Sequence, residues 1–115
     1  MPVTAPGLDL LQGTLDVLVL KALLFGPRHG YAIARWIRDT SDDSLAIEDG
    51  ALYTALHRLE RRGWVEADWG VSDNNRKAKF YQLTRDGRRQ LEAETRRWTR
   101  YAEAVFKVLR AAEER

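Results

Sequence analysis

The side chains able to do chemistry in this chain are bases, amides and aromatics, and they gather in two places. The first is Glu48 to Arg62. Read as a helix at about 100° per residue, it groups Ala51, Thr54, Arg58 and Arg61 on one side, with His57 at the border. Leu52, Ala55, Leu56 and Leu59 fall opposite, as a core face. Small residues near the helix start permit close approach to a partner, and Arg58 is within reach of a guanine edge or a phosphate. Arg61 and Arg62 sit where cations favour a helix C-terminus anyway. The second place is Asn74, Asn75, Arg76 and Lys77, followed by Lys79. Amides and cations on a protruding turn suit phosphate or minor-groove contact. A polar turn also needs no function to explain it.

Charge is uneven along the chain. The 19 basic and 17 acidic residues leave a net charge of only +2. Yet Arg76, Lys77, Lys79, Arg85, Arg88 and Arg89 face Asp86 alone in one stretch, while Asp39 to Asp49 is purely acidic. A basic stretch on a near-neutral chain suggests a localised anionic partner; the other reading is a solvated charged surface.

Other chemistries are excluded by residue type. The absence of Cys removes disulfides, thiolate metal sites and cysteine nucleophiles. His29 and His57 are the only histidines and lack companions at ligand spacing, so no metal site is expected. No serine lies in a nucleophile motif and no glycine loop cradles phosphate, so neither an enzyme nor a cofactor is expected. No apolar run reaches the ~18 residues of a membrane span. Residues Met1 to Gly7 lack the basic and apolar regions of a signal peptide. The expected location is the cytoplasm, with no membrane partner.

These side chains need positioning, and 115 residues allow one domain plus an arm. Residues 1–10 read as a flexible arm. Leu11 to Phe25 reads as a helix apolar on more than one side, stopped by Gly26-Pro27. Gly30 to Thr40 is a second helix, with Ile33, Ala34 and Ile37 on one face. Gly63 suits a left-handed cap for the third. Trp64 to Trp69 alternates as a strand, Gly70 to Lys77 carries turn residues, and Ala78 to Leu83 is a second strand. Thr84 caps a last helix of about 30 residues, roughly 45 Å long, in which Gly87 is a weak point.

That helix outruns so small a core. Leu91, Trp98, Val105 and Ala112 recur every seven residues, with Ala102 and Leu109 filling the seam and Tyr101 and Val108 beside it. The seam predicts pairing with the same helix of a second subunit; the other reading folds it back on the first helix. The expected interface is Leu11, Leu15 and Leu18 with Leu91, Trp98, Tyr101, Ala102, Val105 and Leu109. The fold class is thus mainly α with a small β-hairpin: a winged helix-turn-helix over 11–83 and a long C-terminal dimerisation helix over 84–115. Such a dimer would read two half-sites about one helical turn apart.

Four segments carry a resemblance. Leu11-Gln12-Gly13-Thr14-Leu15-Asp16, His29-Gly30-Tyr31, the run from Glu48-Asp49-Gly50-Ala51-Leu52-Tyr53-Thr54 to Gly63-Trp64, and Lys79-Phe80-Tyr81-Gln82-Leu83-Thr84 stand in order. Together they closely resemble the PadR family of bacterial transcriptional regulators, over nearly the whole chain. The resemblance implies a dimeric winged-helix repressor, of the short subclass with one C-terminal helix. That helix pairs across the two-fold and packs with the partner's N-terminal helix. It also implies a place for Tyr31 near the phosphate backbone. Tyr53, off the apolar face of the third helix, would be half packed with its hydroxyl near phosphate. Some relatives hold flat hydrophobic ligands between aromatics of the paired helices, which makes Trp98 a candidate effector contact; its other reading is a dimer-core Trp. Two departures matter. Thr54 stands where members often have Pro, which alters base preference, and Phe80 replaces a Tyr of many members, removing a hydroxyl. Trp64 and Trp69 read as core and wing packing.

The expected DNA-binding residues are Tyr31, Ala51, Tyr53, Thr54, His57, Arg58, Asn74, Asn75, Arg76, Lys77 and Lys79. The expected function is a homodimeric repressor on a double-stranded DNA operator, released by a small hydrophobic or aromatic effector. Two alternatives stand beside it: a ligand-binding dimer of the same fold without operator recognition, and a protein-interaction module acting through the long helix.

Overall fold

The computed structural model describes residues 13–113. The arm over residues 1–10 and Leu11, expected at an interface, lie outside the described residues. The elements run α1 (Thr14–Ala22), β1 (Arg28–His29), α2 (Gly30–Thr40), α3 (Asp49–Arg61), β2 (Val65–Val71), β3 (Lys77–Leu83) and α4 (Arg85–Arg110). Three helices, a wing and a long last helix match the expected winged helix-turn-helix. The sheet, however, has three antiparallel strands in the order β1-β3-β2. Arg28 pairs with Tyr81 and His29 with Phe80. A two-residue strand has no periodicity to read, so only its pairing reveals it.

α1 ends three residues before the expected stop. In a continuing helix the Ala22 carbonyl would accept from the Gly26 amide. Instead the Gly26 amide bonds Leu23 O at 3.3 Å, and Arg28 Nε donates to Ala22 O at 2.8 Å. The same guanidinium lies 5.7 Å over the Trp36 ring. Leu23 still enters the core from the turn.

The core gathers the apolar stripe of each element. Val19 and Leu20 of α1, Ile33 of α2, Leu52, Leu56 and Leu59 of α3 and Val65 of β2 are fully buried together. Burying each such side chain contributes about 1.5–3 kcal/mol. α3 ends as expected: Gly63 adopts φ 79°, and the Trp64 amide reaches back to Leu59 O at 3.1 Å.

α4 is anchored at its start. Thr84 Oγ1 accepts from the Gly87 amide at 3.0 Å and donates to Gly63 O at 2.6 Å. Gly87 is a close approach rather than a weak point, because a Cβ there would lie 1.9 Å from the Trp64 carbonyl oxygen. Alanine ordinarily favours a helix interior over glycine by about 1 kcal/mol. Here the sign reverses. Gly87→Ala is expected to destabilise the fold by about 1–3 kcal/mol in denaturant unfolding, the range of an overpacked site.

Leu91 is corrected by this anchoring. Its heptad position suggested a dimer contact, but it is buried in the chain's own core. The first turns of α4 lie on the domain, and the seam becomes available only beyond them. Trp98, Ala102 and Val105 are half-buried, whereas Tyr101, Phe106, Val108 and Leu109 are exposed.

Candidate nucleic-acid interface

α3 turns Leu52, Ala55, Leu56 and Leu59 inward, so Ala51, Thr54, His57 and Arg61 stand exposed on its outer side. Small and polar residues thus occupy the face expected to meet a groove. Arg58 departs from this picture. Its Nε donates to Asp16 Oδ2 at 3.2 Å, and its Nη2 bonds the other carboxylate oxygen. Arg62 Nη1 lies 3.8 Å from the same carboxylate. Hydrogen bonding to Asp16 raises the Arg58 pKa above its ordinary value despite partial burial. A guanidinium placed on the free face by helical spacing is therefore already held by α1. The two partners are 42 residues apart, and no spacing rule links them.

The His29-Gly30-Tyr31 segment positions two aromatics. His29 Nδ1 accepts from the Ala32 amide at 3.2 Å and caps α2. Its ring meets the Phe80 ring edge-on at 5.3 Å, so Phe80 serves packing at this position. Tyr31 is 68% exposed and stacks on His29 with centroids 6.4 Å apart. Tyr53 crosses from α3 onto Gly30, where a Cβ would lie 2.4 Å from the Tyr53 hydroxyl. Only glycine leaves room for that crossing. Gly30→Ala is expected to change stability by less than about 1 kcal/mol, since the tyrosine tip can swing aside and alanine suits a helix. The displaced Tyr53 ring is expected to show as shifted ring-proton resonances in nuclear magnetic resonance.

The wing is closed by Ser72 and Asn75. The Ser72 amide bonds Arg76 O and the Asn75 amide bonds Ser72 O, both at 2.8 Å. Asn75 takes φ 61°, a region asparagine tolerates. Asn74, Asn75, Arg76 and Lys77 are exposed at this tip. Trp69 packs within the wing rather than in the core: it is 61% exposed, with the Lys77 ammonium 5.3 Å from its ring centre. The inward face of β2 simply continues past the end of the core. Lys79 is half-buried, 3.9 Å from Glu60 and over the Tyr81 ring. Burial pushes the Tyr81 phenol up, and the charge of Glu60 adds to it.

Wing and helices enclose a groove of about 800 Å³. Tyr31, Tyr53, Trp69, Asn74, Arg76 and Lys77 line it. Arg35 of α2 lines it as well, a residue that sequence reading passed over because nothing distinguishes it from other helix-surface cations. Thr54, His57 and Asn75 lie outside it, on the outer side of α3 and the wing tip. The basic run does not form one patch. β3 carries the chain six steps, about 20 Å, from Lys77 to Leu83 before Arg85, Arg88 and Arg89 follow.

A second cavity, about 410 Å³, lies between α1 and α4. Val17, Leu18 and Lys21 form one wall, and Trp98 and Thr99 the other. Trp98 and Tyr101 meet edge-to-face at 5.6 Å. Among the described residues no group of His, Asp and Glu is placed to hold a metal ion, and no helix is long and apolar enough to cross a membrane.

The chain is similar to known proteins along most of its length. It is 30% identical over 97 residues to an uncharacterised protein of Lysinibacillus sphaericus, covering 84% of this chain and 89% of that relative. A solved PadR family transcriptional regulator from Eggerthella lenta is 31% identical, with a TM-score of 0.73, covering 88% of this chain and 86% of that one. A transcriptional regulator from Clostridium thermocellum is 26% identical, with a TM-score of 0.75, covering 84% of this chain and 90% of that one. The sequence profile of the Transcriptional regulator PadR-like family matches residues 19–93. A profile that runs from α1 into α4, on a fold shared with solved regulators, makes this chain a member of the PadR-like family: a DNA-binding transcriptional regulator, not an enzyme.

Proposed function

We propose that this protein is a homodimeric, sequence-specific repressor of the cytoplasm that lays α3 of each subunit into the major groove of an operator. The observation that carries this reading is the groove in which α3 and the wing meet. Tyr53 of α3, Tyr31 of α2 and the wing cations Arg76 and Lys77 converge on one concave surface. A duplex strand running along it would meet cations for its phosphates and aromatic faces for its sugars. Lys79, shared with Glu60 at 3.9 Å, adds only a weaker contact from the base of the wing, and Asn74 and Asn75 reach the strand from the tip. Ala51, Thr54 and His57 then face base edges. Phosphate neutralisation supplies affinity and the α3 side chains choose the sequence.

The dimer rests on α4. Its 26 residues span about 39 Å, and its second half leaves Leu109 71% exposed beside Tyr101 and Val108. Pairing through Trp98, Tyr101, Ala102, Val105 and Leu109, with Leu15 and Leu18 of α1 nearby, would cover that stripe. It would also set two α3 helices at half-sites about 34–36 Å apart. The apolar cavity beside Trp98 supports a further element, release by a small hydrophobic or aromatic effector. Such a ligand acts by binding better to a dimer whose half-site spacing mismatches the operator.

A footprint on the promoter of the protein's own transcription unit tests the proposal, with protection of two half-sites one turn apart as the expected result. A monomer in sedimentation favours the protein-interaction module instead. A dimer that binds an aromatic ligand at Trp98 but shows no salt-dependent affinity for duplex favours the ligand-binding alternative.

A further inference from the structure

Three arginines, Arg58, Arg61 and Arg62, stand near the C-terminal end of α3. Left free, all would attract phosphate whatever the sequence beneath them. Two of them are not free. Asp16 of α1 takes the Arg58 fork through both carboxylate oxygens and holds Arg62 at 3.8 Å. The Asp16 side chain is only a fifth exposed and that of Arg58 a third, so solvent screens the pair less than it would a surface contact. Bidentate arginine–carboxylate geometry is also the arrangement by which a guanidinium would grip a phosphate, so the two partners compete for the same donors. Arg61, by contrast, makes no ion pair among the described residues and stays exposed.

We infer that Asp16 is a specificity-determining residue: it withholds Arg58 and Arg62 from DNA phosphate, in the free protein and in the complex, and so keeps the sequence-independent attraction of the recognition helix low. The inference rests on the proposed DNA-binding reading. A carboxylate from another helix is needed for this, because an acid on α3 itself would approach the same phosphates. α1 can supply it without loss of packing, since Asp16 points to α3 while Val17 and Leu18, next in the chain, face α4.

The test uses the full chain and a random-sequence duplex of about 30 base pairs. Binding is measured by anisotropy from about 50 to 200 mM salt. Each phosphate newly neutralised steepens the log–log salt slope by about 0.9, which is a roughly threefold change in affinity across that interval. Asp16→Asn is expected to steepen the slope by the equivalent of one to two phosphates per subunit. It should tighten random-duplex binding by about tenfold at the low-salt end and tighten operator binding less, so that the specificity ratio falls. Arg58→Gln, whose cation is already withheld, is expected to leave the slope unchanged. A folded Asp16→Asn protein with the wild-type slope overturns the inference, as does an Arg58→Gln protein whose slope flattens by one phosphate per subunit. Nuclear magnetic resonance of the wild-type chain gives a readout that needs no variant. The Arg58 Nε proton is expected to keep its shift on addition of duplex, and its transfer to a phosphate environment overturns the inference. A wild-type chain that binds no duplex at any salt instead overturns the DNA-binding reading itself.

Discussion

Val105→Glu combined with Leu109→Glu is expected to leave the protein monomeric in sedimentation and to weaken operator binding by about 10²–10⁴-fold. Both positions lie in the second half of α4, about four and five turns beyond Leu91, where the helix has left the core. In a paired helix they would place four carboxylates on an apolar seam. An unpaired charge there must be desolvated, and the penalty exceeds what the seam contributes. The DNA consequence follows from linkage. A dimer delivers its second recognition helix at a high effective concentration, and avidity of about 10²–10⁴ disappears when the subunits separate. The domain itself should keep its unfolding midpoint, because Thr84, Gly87 and Leu91 anchor α4 upstream. A variant that remains dimeric, or a monomer with undiminished operator affinity, would refute the pairing.

The wing should produce the second large effect. Replacing Arg76 and Lys77 together by alanine removes two exposed cations per subunit and four per dimer. Operator and random duplex are expected to weaken by the same factor, on the order of 10²–10³ near 0.1 M salt, and the log–log salt slope should flatten by about 3–4. Equal loss on both sequences is the diagnostic point, since phosphate contacts carry no sequence information. A loss confined to the operator would place these cations on base edges and reverse the division of labour between wing and α3. The variant also uncovers Trp69, whose ring carries the Lys77 ammonium. A change in tryptophan emission without DNA is therefore expected in the same protein.

These two regions were legible to different depths. The seam of α4 was visible as a seven-residue repeat, yet the repeat included Leu91, which the core absorbs. Periodicity reports that a side is apolar and cannot report what covers it. The wing tip was visible through its turn residues, and Asn75 adopts the left-handed backbone such residues favour. Trp69 is exposed in the wing because alternation continues along β2 after the core beneath it has ended. The basic run misled in a related way: adjacency in the chain became about 20 Å of strand once β3 was extended.

Local features were readable from residue order alone. Helix faces, the Gly63 cap, the Thr84 cap, the hairpin and the order of the helices all follow from side-chain type at short spacing, where backbone geometry is fixed. Which distant groups meet was settled only by packing. Asp16 finds Arg58 across 42 residues, Tyr53 closes over Gly30, α4 comes to rest on the Trp64 carbonyl through Gly87, and Arg28–His29 becomes a strand by pairing with β3. A carboxylate, a missing Cβ or an unpaired amide has no meaning until its partner is in place. Close packing of the elements, rather than any one of them, supplies that partner.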